Sequence, residues 1–243
     1  MSSLIAAMSL LATGAIFGQN HASVLRFEVA SVKPVNPGKG PHGVPLAVNH
    51  GRVTLDSATL RQIIGHAYGV QRVRVVNCPS WCDSEQFDVI AKAENPEAGQ
   101  DQIRRMLQTL LLDRFKLAVH PEKREMQMYA LVVAKNGSKL REAASDENGG
   151  LNDRPGQLVF QKTPMSSLAA LLANILNTPV EDMTGLKRLY DFKLQVGGGA
   201  APGTSDSLDT LSSALENLGL ELDSKKQPVD VIVVDHAERP SPN

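Results

Sequence analysis

GRVTLDSATL at Gly51–Leu60 is matched by GQLVFQKTPM at Gly156–Met165, an offset of 105 residues. The same offset lays Ile103–Leu111 over Leu208–Glu216. With a two-residue slip, FDVIAKA at Phe87–Ala93 lies over YDFKLQV at Tyr190–Val196. A period this long points to two copies of a small domain, since solenoid repeats run about 20–50 residues. Duplicated modules build binding surfaces more readily than active sites.

Working outward from these blocks, each copy reads as a β-α-β-α-β-β unit. RFEVASVKP at Arg26–Pro34 alternates as a short strand stopped by Pro34, and Pro34–His50 is a Pro/Gly-rich loop. Val53–Leu55 is a strand, and Ser57 or Thr59 is placed to cap a helix that carries Leu60, Ile63, Ile64, Ala67 and Tyr68 and ends at Gly69. Val70–Val76 alternates as β-structure, Cys78–Asp83 is a turn, and Phe87–Ala93 is a strand. Ile103, Met106, Leu107, Leu110 and Leu111 mark one face of a second helix. Phe115–Val119 and Met126–Ala134, flanking charged His120–Glu125, read as a hairpin. The second copy repeats the order. Its helix faces are Met165, Leu168, Leu171, Leu172, Ile175 and then Leu208, Leu211, Leu215, Leu218, with an insertion at Gly197–Ser205 between them. Leu220–Leu222 and Val229–Asp235 form its closing hairpin. The expected fold class is α+β, with amphipathic helices packed on mainly antiparallel sheets. The expected divisions are a signal peptide at 1–23, the N-terminal strand, loop and first copy at 24–136, a polar linker at 137–155, and the second copy with a Pro-rich tail at 156–243.

At 243 residues the chain is long enough for two such domains. A formal charge of −1 leaves no electrostatic footprint for nucleic acid, and 4% aromatic residues offer few stacking platforms. Leu4–Phe17 is apolar and rich in small residues, of a length that suits a secretory signal and falls short of a spanning helix. No Lys or Arg precedes Arg26, so a buried N-terminal helix and a retained anchor stay open beside the export signal. Cleavage falls within Gly18–Ser23, which leaves a periplasmic or secreted protein with no stable membrane span.

Candidate chemistry is sparse. Cys78 and Cys82 bracket Pro79-Ser80-Trp81 and are a possible disulfide, two free thiols, or a metal or redox pair. The spacing is not C-x-x-C, and no second pair completes a zinc site. Trp81 is a packing anchor or a possible ligand contact. GKGPHG at Gly38–Gly43 carries a proline and leads into no helix, so it reads as a loop and not a phosphate cradle. His66 sits in a helix between apolar faces. His120 with Glu122, and Asp235-His236 with Glu238 and Arg239, are surface ion networks or proton relays. Asp88 and Asp191 occupy matching places in the two copies and suit a local cap or hairpin bond. Gly185 in Thr184-Gly185-Leu186 suits a turn with positive φ. No residue set marks a catalytic, metal or cofactor site, and no cofactor is expected.

Several blocks in order carry a resemblance. They are FEVASVKP (Phe27–Pro34), TLRQIIGHAYGV (Thr59–Val70), PSWCDSEQFDVIAKA (Pro79–Ala93), MLQTLLLDRFKLAVHPEKREMQMYALVVAK (Met106–Lys135), TGLKRLYDF (Thr184–Phe192) and VIVVDHAERPS (Val231–Ser241). Together they resemble an uncharacterised domain-of-unknown-function family of the Solibacter type, expanded in soil acidobacteria. The resemblance implies an export signal and an association of such domains with membrane metallopeptidases of the antibiotic-sensor type. It implies no activity, cofactor or catalytic residue. This chain departs from the family in its cysteines around PSW and in LKRLYDF, which lacks a second glycine. The unit order is also similar, at the level of fold alone, to small N-terminal domains of secretins and TonB-type receptors, which bind partners in the periplasm.

The expected function is an exported, non-enzymatic protein- or ligand-binding module of the cell envelope. Its partner would be an envelope or secreted protein or an extracellular ligand, taken by strand addition or in a groove between the copies. The alternative is an extracytoplasmic hydrolase using that cleft. An enzyme should bring at least two of His120, His236, Asp191, Asp88 and Glu238 together in a concave pocket.

Overall fold

The computed structural model describes residues 24–35, 46–144, 149–154, 156–195 and 205–240. The expected signal peptide, most of the Pro34–His50 loop with GKGPHG, most of the Gly197–Ser205 insertion and the end of the Pro-rich tail lie outside the described residues. The chain is α+β, with five helices and three four-stranded, mainly antiparallel sheets among the described residues.

The first outer sheet contains β1 (Val29–Val35), β2 (Ala47–Asn49), β3 (Arg52–Thr59) and, beyond β4 (Val75–Val76) of the central sheet, β5 (Gln86–Lys92). Its spatial order is β1-β5-β3-β2. Helices α1 (Leu60–Tyr68) and α3 (Gln100–Phe115) bury their apolar faces against it, and α2 (Trp81–Ser84) is one turn inserted before β5. All five apolar positions expected on the second helix, Ile103, Met106, Leu107, Leu110 and Leu111, are buried. Phe87 of β5 meets Phe115 edge to face at 5.2 Å in this core.

After β6 (Ala118–Val133) comes the second outer sheet, of β7 (Arg141–Glu142), β8 (Leu151–Arg154), β9 (Gln157–Thr163) and, past β10 (Val180–Asp182), β11 (Tyr190–Gln195). Its order is β7-β11-β9-β8. Here α4 (Met165–Leu176) and α5 (Ser205–Asn217) supply the core, around Phe160 and Phe192 stacked at 4.4 Å.

The central sheet ties the halves together. β6 pairs along its whole length with β12 (Leu220–His236), antiparallel, from Leu220 opposite Val133 to His236 opposite Ala118. At its edges β4 runs parallel to β12 and β10 runs parallel to β6. The short strand from the first half thus joins the last strand of the second half, and the reverse.

Local chemistry explains the turns. Thr59 caps α1 reciprocally: Thr59 N–H donates to Gln62 Oε1 at 2.8 Å, and Gln62 N–H donates to Thr59 Oγ1 at 3.3 Å. Gly69 closes that helix at φ 66°, a left-handed conformation that a side chain would strain. In both outer sheets the strand before the first long helix is kinked at a non-glycine residue of positive φ, Ser57 (51°) and Lys162 (47°). Each kink frees a backbone N–H, and each is taken up by a carboxylate from the neighbouring strand. Asp88 Oδ1 accepts from Ser57 at 2.8 Å, and Asp191 Oδ1 accepts from Lys162 at 2.7 Å.

Four readings of the sequence are corrected. The two expected closing hairpins are instead the single β6–β12 ladder. His120–Glu125 looks like a turn because almost every residue in it is exposed on the ribbon. Pro121 and Pro228 stand where their strand has a neighbour on one side only, a place where a missing N–H is tolerated. The expected linker at 137–155 supplies β7 and β8, whose polarity is that of half-solvated edge strands. Val70–Val76 contains a 3₁₀ turn at Arg72–Arg74, with only Val75 and Val76 in a strand. Its alternation serves both halves: Val75 enters the first core while Val73 packs on the second. Finally, part of the expected Cys78–Asp83 turn is α2.

Removing either carboxylate leaves a strained backbone N–H without its partner. Asp88→Ala and Asp191→Ala are each expected to lower stability by about 1–3 kcal/mol, read by urea denaturation. The corresponding Asn variants should lose clearly less, because an amide oxygen still accepts the bond.

Candidate functional site

A concavity lies at the end of the β6–β12 ladder. A groove of about 590 Å³ is lined by Val24, Leu25, Tyr68, Leu112, Leu117 and Val119 on its apolar side. Arg105, Gln108, Thr109, Ala118 and Asp235 complete it. Helix α3 contributes one wall, and the start of β6 the other. Of these lining residues, Leu112 is 56% exposed and Val24 64%. Gln108 Nε2 is fixed by donating to Ala67 O at 2.9 Å, and Thr109 Oγ1 donates to Arg105 O at 3.1 Å. Burial pushes the Tyr68 hydroxyl pKa upward, so it stays a neutral donor on the wall.

At the rim of the groove His120 Nδ1 lies 2.9 Å from both carboxylate oxygens of Asp235, and its Nε2 lies 3.8 Å from Glu122. The ladder sets His120 opposite Val233, and an irregularity between Val234 and His236 brings Asp235 alongside. Glu122 is held in a two-point ion pair by Arg124, whose hydrogen bonds and charge pull the Glu122 carboxyl below its ordinary pKa, with His120 adding to the effect. All of these groups are at least partly exposed, so the ion pairs contribute little to stability.

The other candidates disperse. His236 pairs with its sequence neighbour Glu238 at 2.9 Å. Asp88 and Asp191 are committed to backbone N–H groups at the two kinks. Thr184 and Asp182 form a local turn, with Gly185 at φ 72°. Cys78 and Cys82 are joined in a disulfide, with Cα atoms 6.1 Å apart. Trp81 packs against the first core and carries the Arg239 guanidinium 5.3 Å above its ring. Among the described residues no group of three or more His, Cys, Asp or Glu is placed to hold a metal ion, and no helix is long and apolar enough to cross a membrane.

A family model for proteins of unknown function, DUF3738, matches residues 61–237. The chain belongs to the DUF3738 family. No curated protein and no solved structure matches it. The DUF3738 segment opens inside α1 and closes just past β12, so it includes the second outer sheet, the central ladder and the groove-lining part of α3, and of the first outer sheet only β5. Val24 and Leu25 stand outside that segment.

Sequence reading brought His120 to Glu122 and Asp235 to His236, but not His120 to Asp235. That pair spans 115 positions, and splitting β6 and β12 into hairpins hid it. The groove was missed for the same reason: Leu112 falls on the face of α3 opposite its apolar stripe, and nothing in the sequence places it beside Val119.

His66, in the last turn of α1, is pushed below its ordinary pKa by burial. The unfolded chain therefore takes up a proton that the folded one resists, and stability falls as pH drops below the unfolded value of about 6.5. Urea midpoints should decrease from about pH 7.5 to about pH 5.5, and His66→Gln should flatten part of that decrease.

Proposed function

We propose that this protein is an exported, non-enzymatic binding module of the cell envelope, built from two copies of one α+β unit. It holds an apolar segment of an envelope or secreted protein in the groove over α3. The observation that carries the reading is the groove itself. It sets exposed Leu112 and Val24 against Leu117 and Val119, with the polar side chains of Arg105, Gln108 and Asp235 spaced around them. Such a mixture suits a peptide, whose apolar side chains need cover and whose backbone needs donors and acceptors.

The short edges favour the groove over strand addition. Of the four outer-sheet edge strands, β2, β7 and β8 have only three, two and four residues, and β1 has seven. Export is supported by the apolar Leu4–Phe17 and by a disulfide, which persists in oxidising compartments. Duplication is supported by the matched strand orders of the outer sheets and by the same carboxylate-held kink in each.

An extracytoplasmic hydrolase is the second reading, and one contact favours it. His120 is oriented by Asp235 at the groove rim, an arrangement suited to a general base.

The experiment is in-cell photocrosslinking from a probe at position 109 of the full-length tagged protein. Mass spectrometry then identifies the partner and the mature N-terminus. A reproducible envelope partner is expected, with capture reduced at least about tenfold by Leu112→Arg and unchanged by Asp230→Asn, an exposed position of β12 outside the groove. Capture indifferent to Leu112→Arg, or an intact leader on the functional protein, would overturn the binding reading. Small-molecule turnover abolished by His120→Ala would favour the hydrolase.

A further inference from the structure

The cysteine pair, the single tryptophan and the segment after β12 form one contact system. Cys78 and Cys82 close a loop around Trp81, the only Trp of the chain. α2 is a single turn, too short to persist on its own backbone bonds. Three things hold it besides the disulfide: Cys82 N–H donating to Pro79 O at 2.9 Å, Glu85 N–H donating to Trp81 O at 2.9 Å, and a two-point pair of Arg61 with Asp83 at 2.7 and 2.8 Å. The segment from Ala237 to Pro240 docks on this turn. Arg239 lies over Trp81 and is paired twice with Glu85, at 2.7 and 2.9 Å, while Glu238 N–H donates to Phe115 O at 2.7 Å.

We propose that the Cys78–Cys82 disulfide is a reducible clasp that sets how firmly the segment after β12 is docked on the first half of the protein. The docking contacts are individually weak. They depend on Trp81 and Glu85 being held at the spacing that α2 imposes. The closed loop is short, so the disulfide adds little to global stability through chain entropy. Cys82 is fully buried and serves the core as a small apolar side chain in either state. Reduction therefore loosens α2 and leaves the sheets intact.

The sulfurs differ in access. Cys78 is half-buried beside exposed Asn77 and Ser80, while Cys82 is enclosed. A dithiol reductant attacks with one thiolate at Cys78 Sγ. The Cys78–Cys82 bond breaks, and Cys82 leaves as a thiolate that takes up a proton. The second thiolate of the reductant then attacks the mixed disulfide and releases Cys78, which is protonated in turn. The protein gains two electrons and two protons, and the reductant becomes a disulfide.

Coupling of this kind is reciprocal. If reduction weakens docking by some factor, loss of docking must ease reduction by the same factor. Amide exchange of the full mature chain, oxidised and then reduced with dithiothreitol, reads the first side. Exchange at Glu85 and Glu238 should rise about threefold to tenfold while Leu107 and Val89 stay protected. Titration against a dithiothreitol redox buffer reads the second side, and Arg239→Ala should raise the equilibrium constant for reduction by a matching factor. Cys78→Ser should reproduce the reduced exchange pattern without any reductant. Unchanged exchange at Glu238 on reduction, an Arg239→Ala protein with an unaltered reduction equilibrium, or global unfolding on reduction would each overturn the proposal.

Discussion

The antiparallel pairing of β6 with β12 is the constraint on which the rest of the structure depends. It joins residues about a hundred positions apart, and both strands run far beyond what either outer core covers. Their ends serve different halves. Leu117 and Val234 are buried in the first core, while Leu131 and Leu220 are buried in the second. Between the ends, Met128, Val229, Val231 and Val233 make a third small cluster of their own. Neither half can close its core without a strand that belongs to the other.

The exchange at the edges of the central sheet reinforces this. β4 and β10 have two and three residues, far too few to persist unaided. Each is held against the long strand from the other half and locked by side chains. The Gln71 amide imitates a strand by donating to Val180 O and accepting from Val180 N–H. Arg74 pairs with Glu181 at 2.7 Å, and Arg72 reaches Asn174 and Asn177 at the C-terminal end of α4, where the helix dipole favours a cation. The groove is a consequence of the same ladder, because its β6 wall and Asp235 come from opposite strands that only this pairing brings together.

The helices were legible in the sequence because their periodicity reports burial directly: Leu60, Ile63 and Ile64 of α1 and Met165, Leu168 and Leu172 of α4 all face cores. The kink carboxylates are half legible. Asp88 and Asp191 follow equivalent aromatic positions, which marks them as a matched pair, but each accepts from the neighbouring strand, 31 and 29 positions away, where the sequence suggests a local bond. The long strands were not. Period-2 patterning needs one buried face, and neither His120–Glu125 of β6 nor Asp223–Pro228 of β12 has a buried residue, so charged residues and prolines imitate turns there. The edge strands β7 and β8 were read as linker for a related reason: an edge strand is half solvated and carries polar residues on both faces. The groove and the His120–Asp235 pair needed the long-range register, which no local signal contains.

The central claim, that strand exchange makes two α+β halves into one cooperative body, is tested most directly by following each half separately through urea denaturation. Trp81 fluorescence reports the first half, and ¹⁹F resonances from fluorinated Phe160 and Phe192 report the second. The account predicts coincident transitions with a single midpoint. A second half that unfolds at a distinct urea concentration while Trp81 remains native would contradict it.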